Sequence, residues 1–234
     1  SASDWGTFPG DIQEVIWFKD SLSNAQVAKV ETYLALKFGT TLAHDYVVNV
    51  PSDTLYNFTT NAGYLSNIAG IGKDLDNGDI DQRQSNSINV GNQVLIGTTA
   101  LANTNDDNTI GLTQGQYLVW GDNGEAKSPS VYADNLGNGI NMLFKSVWKV
   151  QNKGSVGTVR VAWPAGLNKL TLIQSTDDIF TSGDVFTPMY DNSVEINGVV
   201  YNFADVTLSN GQYFTFGTKI EHAPGGVFNG LSHW

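Results

Sequence analysis

Residues 143–151, LFKSVWKVQ, and residues 159–163, VRVAW, contain the pattern that decides the fold class. Successive side chains of a β-strand point to opposite faces, so every second residue shares a face. In the first run this rule places Phe144, Trp148 and Val150 together, and in the second run the two valines and the tryptophan share a face. The two runs therefore predict two strands that each bury one apolar face.

Two Asn-Gly pairs predict tight turns between further short apolar runs. Asn197-Gly198 separates EI from VVY and predicts a two-residue hairpin loop of type I′. A second pair, at positions 210 and 211, lies between VTL and YFTF and predicts another reversal. Short strands joined by such turns are typical of an antiparallel sandwich. The sequence therefore predicts a mainly β fold of antiparallel β-sandwich units, with one amphipathic helix near the N-terminus.

That helix is predicted over residues 21–38, SLSNAQVAKVETYLALKF, after a short apolar strand at 12–18, IQEVIWF. Ser23 and Gln26 have the spacing of a capping box, in which the two side chains satisfy free backbone donors of the first turn. Gly39 stands where a helix ends in the left-handed conformation. The apolar residues at helical spacing, which we expect to face the core, are Val27, Val30, Leu34 and Phe38.

Composition excludes several classes of function. The 234 residues include 23 acidic and 12 basic ones, a net charge of −11, whereas a nucleic-acid partner requires clustered Lys and Arg. No apolar run of about 18 residues is present, so no membrane insertion is expected. The chain has no Cys, which excludes disulfides and thiolate chemistry. This composition fits a secreted bacterial protein, and the opening residues SASDWGTFPGD are typical of a mature or excised fragment.

An acidic cluster in the first half is the candidate metal site. Residues 74–81 read DLDNGDID, with carboxylates alternating around a glycine turn. Calcium takes six to eight oxygen ligands on a bent backbone, so calcium is the cofactor that this loop predicts. The alternative is a solvated acidic turn between strands, because Ser85 stands where an EF-hand loop has its closing glutamate. The predicted ligands are Asp74, Asp76, Asp79 and Asp81.

Catalytic residues are not predicted, and we expect the protein not to be an enzyme. The three histidines, at 44, 222 and 233, have no metal-binding spacing and are expected at the surface. Asp11 and Glu14 are three residues apart, so on one strand they point to opposite faces and cannot act as a carboxylate pair. The sequence therefore offers no set of catalytic residues for a polysaccharide-degrading enzyme.

Tryptophans are the candidates for a carbohydrate platform, because sugar rings stack on flat exposed rings. Trp5 and Trp234 lie near the termini and are the predicted glycan-binding residues. Trp17, Trp148 and Trp163 lie within alternating apolar runs, and we expect them in the core.

Several stretches resemble a recurring region of large surface proteins of Bacteroidetes and marine Gram-negative bacteria. The first, GDIQEVIWFKDSLSNAQVAKVETYLALKFGTTL at 10–42, is similar to the last strand and trailing helix of a concanavalin- or laminin-G-like sandwich. Residues 68–90 and 117–124 resemble the β module that follows it, and 147–161 with 211–218 resemble its closing unit. The resemblance implies no catalytic residues.

The resemblance, together with an Asn-, Asp- and Gly-rich stretch at about 98–142, implies a division of the chain. It gives a terminal strand and trailing helix of a laminin-G-like unit at 1–45, and a β module with Asn/Asp-rich loops at 46–142. A closing β-sandwich unit follows at 143–220, and residues 221–234 resemble the lead strand of a following unit.

Two terminal strands, at 12–18 and 227–234, would lack sandwich partners in such a chain. Unpaired apolar strands are templates for pairing, so we expect them to pair with each other or with a neighbouring chain. The alternative is a boundary with no functional meaning. The predicted interaction residues are Ile12, Val15, Ile16, Trp17, Val227, Phe228 and Leu231.

These observations favour a non-catalytic structural and adhesive segment of a large extracellular surface protein. It would assemble through its terminal strands into an array or filament at the cell surface. The expected partners are neighbouring copies or flanking domains of the same protein. The alternative is a calcium-dependent carbohydrate-binding module, for which glycans would be the partners.

Overall fold

The computed structural model describes residues 10–49, 53–76, 79–133 and 136–221. Five of the predicted site residues lie outside these ranges, namely Trp5, Val227, Phe228, Leu231 and Trp234. The elements in chain order are α1 (Asn24–Phe38), β1 (Tyr46–Asn49), β2 (Asp53–Tyr56), β3 (Ser66–Asp74), β4 (Ile80–Gln82), β5 (Gln84–Ser85), β6 (Leu95–Gly97), β7 (Tyr117–Asp122), β8 (Pro129–Tyr132), β9 (Met142–Phe144), β10 (Trp148–Lys153), β11 (Thr158–Pro164), β12 (Thr171–Ser175), β13 (Val185–Pro188), β14 (Ser193–Ile196), β15 (Val199–Thr207) and β16 (Tyr213–Thr218).

The strands form two facing sheets and a small ribbon. A nine-stranded sheet has the order β13-β12-β16-β10-β7-β3-β4, with β9 pairing with β16 and β8 pairing with β9. A five-stranded sheet has the order β14-β15-β11-β6-β5, and β1 pairs with β2. The strand pairs are antiparallel. The predicted mainly β fold, an antiparallel β-sandwich with one helix near the N-terminus, is confirmed for the described chain.

The main core lies between the two large sheets and follows the predicted alternation. Both Asn197 and Gly198 have positive φ, and Ile196 pairs directly with Val199, so the predicted type I′ hairpin is confirmed. The larger sheet contributes Ala69, Ile71, Leu118, Trp120, Trp148, Val150, Leu172, Phe214 and Phe216. The smaller sheet contributes Ile96, Val159, Val161, Trp163, Ala204 and Val206.

The predicted boundary between 46–142 and 143–220 does not separate two folding units. It falls within β9, and β7 and β10, which lie on either side of it, pair over six residues. Residues from both ranges also share the main core. The turns between the ranges are polar, but they connect strands of one sandwich. Their polar composition therefore does not mark a boundary between two folding units.

Helix α1 and the β1–β2 ribbon cover the outer face of the larger sheet. The helix begins with the predicted capping box, in which Ser23 and Gln26 bond reciprocally, and it ends at Gly39 with φ of 64°. Its buried residues are Thr32, Ala35 and Leu36. Gly70 in β3 lies beneath Leu36 and leaves room for that side chain. Because Gly70 has no side chain, α1 lies close to the sheet at Leu36.

The predicted buried face of the helix is wrong as a result. Val27 is 39% exposed, and the remaining three residues of that face are only partly buried. They are Val30, Leu34 and Phe38.

The predicted strand at 12–18 is also wrong. Residues 11–18 have no regular secondary structure and belong to no strand ladder. These residues do not join the edge of a sheet. They lie beside α1, because Glu14 contacts Tyr33 and Lys37 of the helix. No helix in the described part of the chain is long and apolar enough to cross a membrane.

Candidate functional site

The N-terminal segment, defined here as residues 11–18, is tied to α1 by one carboxylate. Tyr33 Oη donates a hydrogen bond to Glu14 Oε1 at 3.1 Å, and Lys37 Nζ lies 2.9 Å from Glu14 Oε2. Lys37 Nζ also donates to Tyr33 Oη at 2.7 Å. Tyr33 and Lys37 are one helical turn apart, so both reach the same point above the helix. Three side chains thus fix the segment at Glu14.

The electrostatics of this contact are mutually favourable. The pKa of Glu14 is lowered, mainly because Lys37 donates a hydrogen bond to the carboxylate, and also because Tyr33 donates one. The pKa of Lys37 is raised, first by its hydrogen bond to Tyr33 and then by its hydrogen bond to Glu14. Both charged forms are therefore favoured in the folded protein across the neutral range.

One side of the N-terminal segment closes a cleft against the helix. Ile16 and Phe18 line this cleft of 340 Å³ together with Val30, Tyr33 and Asp79. Glu14, Ile16 and Phe18 occupy alternate positions of the segment, and all three line the cleft. The predicted interaction residue Ile16 is therefore partly covered by the protein itself.

The other side of the segment faces solvent. Val15 is 79% exposed, Trp17 is 82% exposed and Ile12 is 66% exposed. The expectation that Trp17 belongs to the core is therefore wrong, although Trp148 and Trp163 are buried as expected. Three exposed apolar side chains and a backbone that belongs to no strand ladder together make this outer side a surface that can pair with another strand.

The acidic hairpin, formed by β3 and β4 and carrying the predicted metal ligands, also borders this cleft. Asp79 lines the cleft beside Glu14, and Asp79, Asp81 and Asp106 line a neighbouring cavity of 180 Å³ with Tyr33. The structure therefore brings two of the predicted metal ligands, Asp79 and Asp81, close to the predicted interaction residue Ile16.

Two of the four predicted metal ligands, Asp74 and Asp81, point to opposite faces of the β3–β4 ladder. Asp74 pairs with Ile80 in the β3–β4 ladder and is buried, with its Oδ1 accepting from Gln114 Nε2 at 2.6 Å. Asp81 is one position farther along, so its side chain points to the opposite face. No group of three or more His, Cys, Asp or Glu residues converges within the described ranges. The calcium site stays a prediction.

Asp81 has a different partner. Arg83 holds it through Nη2 at 2.6 Å and Nε at 3.3 Å, and Arg83 Nη1 donates to the carbonyl of Asn108 at 2.8 Å. Asn105 Nδ2 donates to the backbone oxygen of Asp81 at 2.8 Å. These bonds connect the hairpin to the loop after β6 and give Asp81 a structural role.

Sequence reasoning missed Glu14, Tyr33 and Lys37 as a group. The sequence pattern suggests only Asp11 as a partner for Glu14, and it predicts no role for Tyr33 or Lys37. The available signal was the spacing of an aromatic residue and a cation one helical turn apart, beside an acidic residue in an apolar run.

Residues 26–212 match the model of a family that is described as a domain of unknown function (DUF8202). The chain belongs to the DUF8202 family. The DUF8202 match begins in the first turn of α1, so the N-terminal segment precedes it. The match ends just before β16. Comparison with curated proteins and with solved structures gave no match.

Proposed function

We propose that the protein is a non-catalytic structural and adhesive module of a large extracellular surface protein. In this proposal the N-terminal segment joins the module to a neighbouring copy by strand pairing. The observation that carries it is the exposed outer side of the segment at Val15 and Trp17, which a contact with α1 holds in place.

Burial of that side supplies the driving force. Complete burial of a side chain such as that of valine or tryptophan is worth about 2 kcal/mol each. The contact of Glu14 with Tyr33 and Lys37 holds the segment in place before it pairs, so less backbone entropy remains to be lost on association. The carboxylate of Glu14 faces the helix, so it does not oppose a second strand on the other side.

A second copy of the chain fits this surface by symmetry. Antiparallel pairing of two identical segments about Val15 places Ile12 opposite Phe18 and Gln13 opposite Trp17. Such a contact is isologous and closes at two copies. The net charge of −11 on each copy opposes it, so the association is expected to strengthen as salt screens the repulsion.

Sedimentation velocity over a concentration series tests the proposal. We expect the wild-type chain to dimerise, more strongly when salt is raised from about 0.02 M to about 0.5 M. The double variant Val15→Ser, Trp17→Ser should remain monomeric. Val90→Ser is the matched control, because Val90 is fully exposed in a loop outside the segment, and it should dimerise like the wild type.

Three results would overturn this function. A wild-type chain that stays monomeric at high salt would contradict the proposed strand pairing between copies. Glycan binding that is lost with a chelator would favour the calcium-dependent carbohydrate-binding module instead, and turnover on a glycan panel would contradict the non-catalytic role.

A further inference from the structure

A buried carboxylate at the end of β7 binds a lysine and an asparagine at the same time. The side chain of Asp122 has no exposed surface, and its Oδ2 lies 2.9 Å from Lys127 Nζ. Asn67 Nδ2 donates to both carboxylate oxygens at 2.9 Å. The backbone N–H of Gly124 donates to Oδ1 at 2.8 Å. The lysine and the asparagine amide therefore meet at one carboxylate.

The amide carbonyl of Asn67 is held from the other side. Asn67 Oδ1 accepts hydrogen bonds from Asn89 Nδ2 at 2.8 Å and from Gln93 Nε2 at 3.5 Å. Donors on a carbonyl oxygen polarise it and stabilise the negative charge that forms there when a nucleophile attacks the carbon. The amide of Asn67 thus has donors at its oxygen and a carboxylate at its nitrogen.

Irregular backbone places Asn67 in this position. The β3–β7 ladder is regular from Ala69 onwards but shifts register between Ser66 and Ala69. Asn67 lies within that bulge with a φ of 50°, a conformation that asparagine tolerates better than most residues. Bulges redirect side chains, and this one brings Asn67 to Asp122.

The loop that carries Lys127 is fixed as well. Ser146 Oγ donates to the carbonyl of Glu125, and the Ser146 N–H donates to the carbonyl of Ala126 at 3.1 Å. Asn123 Nδ2 donates to the carbonyl of Lys145 at 3.2 Å. The side chain of Lys127 is only 16% exposed. The amine is therefore held at the carboxylate with little freedom to leave it.

We propose that Lys127 and Asn67 form a covalent amide bond within the folded chain. Lys127 Nζ and Asn67 Nδ2 each lie 2.9 Å from Asp122 Oδ2, so they are at most twice that distance apart. Groups that one partner holds side by side react as if at very high concentration once the attacking and attacked atoms come within about 3–3.5 Å. A deprotonated lysine amine is a good nucleophile, and an adjacent base can supply the deprotonation.

The reaction balances without a cofactor. Asp122 takes a proton from the Lys127 ammonium, and the free amine attacks Cγ of Asn67. The carbonyl oxygen carries the negative charge, next to Asn89 and Gln93. Asp122 then passes its proton to Nδ2 and takes up the second proton that the attacking nitrogen releases. The Cγ–Nδ2 bond breaks, ammonia leaves with that proton as ammonium, and an Nζ–Cγ amide remains.

The surroundings give the leaving group a path out. Lys127 lines a cavity of 320 Å³ together with Phe144 and Trp163. Ammonia released beside Lys127 can leave through this cavity. The new bond would connect the start of β3 to the loop after β7, so the two neighbouring strands would be linked by a covalent bond in addition to their ladder.

The intact mass of the purified whole chain tests this proposal. We expect the wild-type mass to be lower than the sequence mass by one ammonia. Trypsin should fail to cut after Lys127, and tandem mass spectrometry should find one branched peptide that contains Lys127 and Asn67. Asp122→Asn and Lys127→Met should each restore the full mass. Lys145→Met, which removes a nearby lysine from a surface ion pair, should keep the loss.

A folded wild-type chain with the full sequence mass would overturn the proposal. Loss of ammonia with Lys127 and Asn67 in separate, unbranched peptides would also overturn it, because cyclisation of another asparagine would then account for the mass. The measurement on the wild type decides the outcome even if a variant fails to fold. It is independent of the proposed dimer, which needs none of these residues.

Discussion

Trp148 and Phe214 are direct cross-strand partners in β10 and β16, and their rings stack with centroids 5.4 Å apart and planes 6° apart. Both side chains are fully buried, Phe216 packs edge-on against both rings, and Trp163 packs edge-on against Trp148. This aromatic group is the centre of the core between the two sheets.

Phe214→Ala should therefore be strongly destabilising. Removal of a buried phenylalanine side chain costs about 3–5 kcal/mol, because apolar contact is lost and a cavity remains. Urea denaturation measures the change in the free energy of unfolding. Val90→Ala changes a fully exposed side chain and should stay within about 0.5 kcal/mol of the wild type. Equal changes in the free energy of unfolding for the two variants would show that the Trp148–Phe214 stack contributes no more to stability than an exposed side chain does.

Gly39→Ala should cost more than an ordinary change at a helix end. Gly39 has a φ of 64°, and a Cβ there would overlap the carbonyl oxygen of Asn86. The left-handed conformation alone costs about 1–2 kcal/mol for a residue with a Cβ. Gly137→Ala is the matched control, because Gly137 also has positive φ but has open space around the position of a Cβ. We expect the thermal midpoint to fall further for Gly39→Ala, and a larger fall for Gly137→Ala would contradict the overlap.

The contact at Glu14 should make stability depend on pH in the acid range. The pKa of Glu14 is lowered by folding, so its contribution is fully present above the ordinary value of 4.5. That contribution is lost as the pH falls through the lowered value of the folded state. Unfolding free energies measured by denaturant from neutral to acid pH should show this loss in the wild type, and Glu14→Gln should flatten that part of the profile.

The control for Glu14 is a double-mutant cycle with its partner. Lys37→Met removes the main cause of the lowered pKa, so it should flatten the same part of the profile. The double variant should then behave like either single variant. Additive effects on the profile would mean that Glu14 and Lys37 act separately.

The strands of the sandwich could be predicted because their pattern is local. Trp148 and Val150 occupy alternate positions, and so do Val159 and Val161, so one face of each run is apolar whatever its neighbour is. The orientation of α1 could not be predicted in the same way. Its sequence offers two faces, and the choice depends on Gly70, which makes room for Leu36 from another element.

The candidate sites depended on contacts between distant residues. Glu14 lies 19 residues from Tyr33, and Asn67 lies 55 residues from Asp122. Neither pairing has a motif of fixed spacing. The prediction that Trp17 is buried fails for a related reason. An alternating apolar run is buried only when another element covers it, and no described element covers Trp17.

Strand β16 lies between β12 and β10 in the larger sheet, yet it follows every other described strand in the chain. A ribosome adds residues from the N-terminus, so the strands on both sides of this position emerge before the strand that separates them. Until β16 arrives, the growing chain has two open inner edges and an unfilled place beside Trp148. Completion of this sheet must therefore wait until translation has passed Thr218.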